Sequence, residues 1–129
     1  MTASVGDRVV QRRYVDHSHA HYGGGLVDGA FVLALFGDAA TELCIRTDGD
    51  EGLFASYAEV TFHAPVRAGD VVEVSAVIDR VGRRSRGVVF EATVVCRSEP
   101  DRGPSAATVL DPPVLAVSAR GTVVVPGLS

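Results

Sequence analysis

The densest concentration of chemistry-bearing side chains in the sequence is His17-Ser-His-Ala-His-Tyr-Gly-Gly-Gly25, which runs directly into a long apolar stretch. If that stretch is a helix, its first N–H groups lack intrahelical acceptors and its dipole is positive there, so a developing oxyanion can be held. Glycines let a carbonyl approach the backbone, which assigns substrate binding to Gly23 and Gly24 and suits the enolate of a thioester. A plain flexible lead-in to the helix is the alternative. His21 beside Tyr22 offers a hydrogen-bonding or acid/base pair next to the glycines. His17, His19 and His21 are spaced by two and would share one face of an extended backbone, a pattern that invites a metal ion. No nearby Cys or carboxylate arrangement completes a recognisable ligand set, so no metal is expected, and His17 and His19 read as a solvated loop.

Leu26 to Arg46 (LVDGAFVLALFGDAATELCIR) is rich in Ala and Leu, contains no Pro, and predicts one long helix with a stop signal at Asp48-Gly49. Apolar residues occupy nearly every angle around it, as in a helix buried on most sides. Its three acids, Asp28, Asp38 and Glu42, fall within an arc of about 80° at about 100° per residue, together with Phe31 and Leu35. Carboxylates on a buried face are costly unless paired or functional, and burial would raise their pKa toward values useful to a general base. The competing reading makes this arc the solvent face. Phe31 and Leu35 suggest a small apolar acyl pocket. Gly29 and Gly37 in a helix interior suggest close packing against strands or a neighbouring subunit.

The elements around the helix follow from a period of two. Arg8 to Val15 is an opening strand. Ala58, Val60 and Phe62 alternate with Tyr57, Glu59 and Thr61, the first set facing the core. A turn at Pro65 to Asp70 leads into Val72, Val74, Ala76 and Ile78. A turn at Gly82 to Ser85 leads into Val88, Phe90, Ala92, Val94 and Cys96. Ser98 to Pro113, with its prolines, reads as an exposed mobile loop before a last strand over Val114 to Val125. These elements form a single α+β domain over residues 1–129 in which an antiparallel sheet curls around one helix. Its open sheet edges and incompletely covered helix predict pairing into a homodimer. Arg83, Arg84 and Arg86 lie in a strand-connecting turn, where they would bind the phosphates of a nucleotide-bearing molecule or else supply ordinary surface charge. Asp48-Gly-Asp-Glu-Gly52 resembles a calcium loop but lacks the required glycine and ligand positions.

The 129 residues suit one domain, and 47% hydrophobic against 22% charged residues supports a packed core. A formal charge of −4 disfavours nucleic acid and anionic lipid as partners. All twelve basic residues are Arg, so lysine Schiff-base and P-loop chemistry are excluded. Cys44 and Cys96 form no paired framework, and no signal or membrane-spanning segment is seen, so a reducing, cytoplasmic setting without a disulfide is expected.

Four blocks, HYGG, LVDGA, FGDAATEL and DGDEGLF, together with the PVRAGD turn, resemble the 3-aminobutyryl-CoA and β-alanyl-CoA ammonia lyases of the hotdog-fold superfamily. The resemblance runs from about His21 to Val95. It implies a hotdog fold, an acyl-CoA substrate with no separate cofactor, a homodimer or higher homo-oligomer, and a site between subunits where the helix N-terminus of one faces acids of the other. His21, Tyr22, Gly23, Gly24, Asp28, Asp38, Glu42 and Glu51 match the blocks, while Gly25 stands where the family pattern leads one to expect Asn. The implied reaction is reversible elimination of ammonia: Glu42 or Asp38 takes the α-proton, N–H groups near Gly24 hold the enolate, and His21 or Tyr22 serves the leaving amine. A hotdog thioesterase using Asp38, or a non-catalytic acyl-CoA binding module, are the alternative outcomes.

Overall fold

The computed structural model describes residues 2–127. Five strands, β1 (Arg8–Tyr14), β2 (Leu53–Phe62), β3 (Val71–Val81), β4 (Ser85–Ser98) and β5 (Ala107–Val124), form one antiparallel sheet in the order β1-β3-β4-β5-β2. The sheet wraps a single long helix, α1 (Gly29–Asp48). This is the hotdog arrangement expected from the sequence. Among the described residues no helix is long and apolar enough to cross a membrane.

The helix starts three residues later than its composition suggests and ends in Gly49, whose left-handed backbone (φ 67°) turns the chain away. Asp28 is thus its N-cap, in extended conformation, and not an interior residue. Val32, Leu35, Phe36, Ala39, Ala40, Leu43 and Cys44 are buried against the alternating inward side chains Val72, Val74, Ala76 and Ile78 of β3 and Val88, Phe90, Ala92 and Val94 of β4. Phe36 stacks on Phe90 at 5.0 Å between centroids, and Phe54 stacks on the same ring at 5.8 Å, joining helix, β4 and β2. Burial pushes the Cys44 thiol up to about 11, leaving it an inert core group. Cys44 and Cys96 are free.

Two stretches depart from the simple alternation. In β2 the register shifts at Phe54/Ser56 and Tyr57/Glu59, so Phe54, Tyr57 and Val60 turn toward the core while Ala58 and Phe62 are exposed. The expected long loop shrinks to residues 99–106, because Ala107–Val109 pair with Cys96–Ser98 of β4. Pro112 and Pro113 fit within β5 because residues 110–113 bulge out opposite Val95, on a stretch with no β2 partner on its other side.

A buried ion pair closes the far end of the molecule. Arg86 grips Asp48 through Nε–Oδ2 (3.2 Å) and Nη2–Oδ1 (2.7 Å) and donates through Nη1 to the carbonyls of Gly82 and Ser85. Their side chains are only 10% and 9% exposed. Burial alone would raise the Asp48 carboxyl, but hydrogen bonds from Arg86 and Thr47 and the Arg86 charge outweigh it and hold the group below the ordinary carboxylate value. Such a group stabilises the fold above its unfolded-state pKa, and the contribution disappears as pH falls through the lower, folded value. Asp48→Asn is therefore expected to cost about 3–5 kcal/mol in urea unfolding at pH 7, because it strands a buried guanidinium. The difference from the unmodified protein should narrow below about pH 4.

Candidate active site

The segment from Asp16 to Asp28 is held by short local bonds, which separate residues that the sequence places side by side. The Asp16 carboxylate accepts from Ser18 N at 2.9 Å and bends His17–His19 into a single 3₁₀ turn. The three histidines consequently do not share a face: His17 lies near Tyr14 and Gly69, His19 packs on Phe31 at 4.3 Å, and His21 meets Tyr22 edge to face at 4.6 Å. Among the described residues no three His, Cys, Asp or Glu side chains converge as a metal site would require. Beyond them, His21 N and Tyr22 N both donate to the Leu26 carbonyl, closing the loop over Gly23–Gly25. Gly24 and Gly25 have φ of 75° and 74°, which the closure requires.

This loop is seated on the PVRAGD turn. Val27 N donates to Val66 O and Ala68 N to Gly25 O, both at 2.8 Å. The turn is fixed by Asp70, which is fully buried and accepts from Arg67 N (2.8 Å), Arg97 Nε (3.0 Å) and Arg97 Nη2 (2.8 Å). Gly69 is needed at φ 90°, and a Cβ there would fall 2.8 Å from Ser98 Oγ.

Loop, turn and helix N-terminus enclose a cavity of about 410 Å³. Val27, Val32, Val66 and Val117 form an apolar wall, Phe62 closes one side, and Tyr22, Asp28, Gly29 and His63 are also among the lining residues. Asp28 contributes the cavity's carboxylate, and its side chain makes no capping bond to the helix. Gly29 lies directly under the Phe62 ring, where a Cβ would come within 2.5 Å of Cε1. Asp28 and Gly29, the N-cap and first residue of α1, both line the cavity, so the positive end of the helix dipole borders this space. The glycines expected to do so, Gly23 and Gly24, lie on the loop before it, and Gly24 borders a different groove.

Of the catalytic and substrate-binding candidates named from the sequence, the fold brings Tyr22 and Asp28 together in the cavity. Asp38 is exposed, about 15 Å along the helix from Asp28. It shares an outward strip with Ala30, Ala34, Thr41 and Ile45. Glu42 is half-buried and engaged by Gln11 Nε2 (2.8 Å) and Arg46 Nε (2.7 Å). Those hydrogen bonds and the Arg46 charge lower its pKa, the reverse of the elevation expected from burial. Phe31 is covered by His19 and by the Arg13 guanidinium at 5.9 Å, and Leu35 is in the core, so neither lines the cavity. Arg86 has its guanidinium committed to Asp48 and two carbonyls and is a structural residue. Arg83 and Arg84 are exposed at the opposite end of the helix. The sequence reading missed Phe62, His63 and Val66. His63 lies two residues before the PVRAGD turn, and its Nε2 meets Ser118 Oγ at 2.8 Å.

A family model, the Thioesterase superfamily, matches residues 24–101, more than half of the chain, and the chain belongs to that superfamily. A hexameric hotdog fold thioesterase of Campylobacter jejuni shares the fold at a TM-score of 0.72, with 19% identity over 96% of this chain and 84% of the other. Within the superfamily the likeness narrows. The 3-aminobutyryl-CoA ammonia lyase of Acetoanaerobium sticklandii is 55% identical over 107 residues, 83% of this chain and 85% of that protein. The β-alanyl-CoA:ammonia lyase of Clostridium propionicum superposes with a TM-score of 0.88 at 38% identity, covering 95% of this chain and 87% of that one. The family resemblance carried by the sequence blocks thus holds across most of the chain.

The Gly29–Phe62 contact yields a direct test. Gly29→Ala is expected to preserve the helix, since Ala is favoured over Gly by up to about 1 kcal/mol, while driving the Phe62 ring out of the cavity wall. A crystal structure and a melting curve of the variant would read both effects, and a ring left in place would contradict the contact.

Proposed function

We propose that this protein is a lyase that reversibly eliminates ammonia from a short 3-aminoacyl-CoA to give the enoyl-CoA. The observation that carries the reading is the cavity at the helix N-terminus: apolar walls for a short acyl chain, one carboxylate with no capping duty, and unpaired N–H groups where an enolate oxygen would form. The 55% identity to the ammonia lyase of A. sticklandii supports the same chemistry.

The thioester carbonyl is placed at the first helical turn, at Gly29, in place of Gly24. A carboxylate takes the α-proton, and the C–H electron pair forms the enolate, whose oxygen the helix N-terminus stabilises. As the carbonyl re-forms, the Cβ–N bond breaks and NH₃ departs from the substrate's ammonium group, leaving as NH₄⁺ with the proton the carboxylate had taken. Asp28 faces the reacting atoms from within the protomer and Tyr22 offers a hydroxyl to the amine. Asp38 reaches the same space from a second copy of the chain in a homo-oligomer. That arrangement is supported by its exposure on the same outward strip as Ala30, Ala34 and Ile45 and by the outer edge of β2, which pairs with no strand among the described residues. His21, turned onto Tyr22, positions that ring. Two free cysteines support a reducing, cytoplasmic setting.

Incubating the protein with crotonyl-CoA or acryloyl-CoA and ammonium, with mass analysis of the product, tests the reading. Ammonia adducts with the thioester intact are expected, and release of free thiol would point to hydrolysis instead. Asp28→Asn and Asp38→Asn should each reduce turnover by about 10²- to 10⁴-fold. Glu42→Gln should stay within a few fold of the parent, because Glu42 serves the Gln11 and Arg46 contacts. Full turnover in both Asp variants would remove these roles.

A further inference from the structure

Behind the wall formed by the glycine loop and the PVRAGD turn lies a second depression of about 590 Å³, bordered by Tyr14, His17, Gly24, Arg67, Arg97 and Ser98. Its electrostatics set it apart in a chain of net charge −4. The acid in its lining is Asp70, which has no exposed surface and has both carboxylate oxygens taken by Arg97 and by Arg67 N. Arg67 is exposed and, among the described residues, its guanidinium forms no ion pair. The groove therefore presents an uncompensated cation, with the partly exposed Arg97 and the imidazole of His17 beside it, to whatever enters.

Its relation to the cavity restricts the ligand. Val66 lines the cavity and the next residue, Arg67, lines the groove; Tyr22 lines the cavity, and Gly24, two residues on, lines the groove. Only the short pairing of loop and turn, including the Leu26–Arg67 bridge, separates the two. A molecule occupying both needs a small acyl end, an arm that passes this pairing and an anionic end. Arg83 and Arg84 do not serve such a molecule within one protomer, because they sit near the C-terminal end of a 20-residue helix, about 30 Å from its N-terminus.

We propose that this groove receives the phosphorylated nucleotide end of the coenzyme A carrier, with Arg67 as its principal phosphate ligand. The proposal rests on the reading of the cavity as an acyl-CoA site, and within one protomer Arg67 takes the role that the sequence offered to the Arg83–Arg86 turn. Arg67→Gln is the informative change, because the backbone N–H bonded to Asp70 is retained and, among the described residues, the lost guanidinium forms no ion pair.

Calorimetric titration of the unmodified protein, R67Q and the double variant R83Q/R84Q with free coenzyme A and with pantetheine, which lacks the nucleotide and its phosphates, tests the proposal. R67Q should weaken coenzyme A binding about tenfold or more and leave pantetheine binding unchanged. With the aminoacyl-CoA substrate, KM should rise while kcat holds. Equal coenzyme A affinity in R67Q and the parent, a parallel loss of pantetheine binding, a loss that follows R83Q/R84Q, or no coenzyme A binding by the parent would each overturn it. Ammonia transfer is measured separately. Normal transfer with unaltered coenzyme A binding in R67Q defeats the groove alone; weakened binding in R67Q without any ammonia transfer defeats the lyase reading alone.

Discussion

A carboxylate with no access to water, Asp70, is the constraint on which the rest of the site depends. Burying an unpaired charge is prohibitive, so Asp70 is tolerable only with Arg97 and the Arg67 N–H in place. Those partners belong to β4 and to the turn before β3. Val15, the residue after β1, joins them through Val15 N to Asp70 O and Gly69 N to Val15 O. Satisfying one side chain thereby sets the height of the PVRAGD turn relative to three strands. The glycine loop hydrogen-bonds to that turn, and the helix begins where the loop ends, so the cavity inherits its shape from the same bonds.

The two ends of the helix are treated differently. At the C-terminal end Asp48 is paired with Arg86, and the left-handed Gly49 returns its N–H to the Ile45 carbonyl. At the N-terminal end Asp28 makes no capping bond, Gly29 has no side chain, and an aromatic ring stands over the backbone in place of a hydrogen-bonding partner. The end without a side-chain cap is the one that borders the cavity.

Much of the fold was legible in the sequence because β3 and β4 keep strict alternation and the helix is apolar around most of its circumference. Errors arose where the backbone steps out of period. The bulges in β2 turned Tyr57 inward and Phe62 outward, and the proline-bearing bulge in β5 disguised a strand as a loop. The same limit applied to the site. Tyr22 and Asp28 were identifiable because they flank the glycines and the helix start. Helical angles put Glu42 and Asp28 on one face, but an angle carries no information on hydrogen-bond partners, and Gln11 and Arg46 decide what Glu42 does. Arg86 was misread for a related reason: a turn full of arginines resembles a phosphate site until one of them proves to be buried on an aspartate.

The proline-bearing bulge of β5 has a bearing on solubility. Where β2 ends, β5 continues with one flank bare, and a bare flank is ordinarily a template on which stray strands accumulate. With two consecutive residues unable to donate and the backbone displaced from the sheet plane, that template is interrupted in its middle. Foreign chains can gain little by adding there, which protects crowded solutions of this protein from aggregation along this margin.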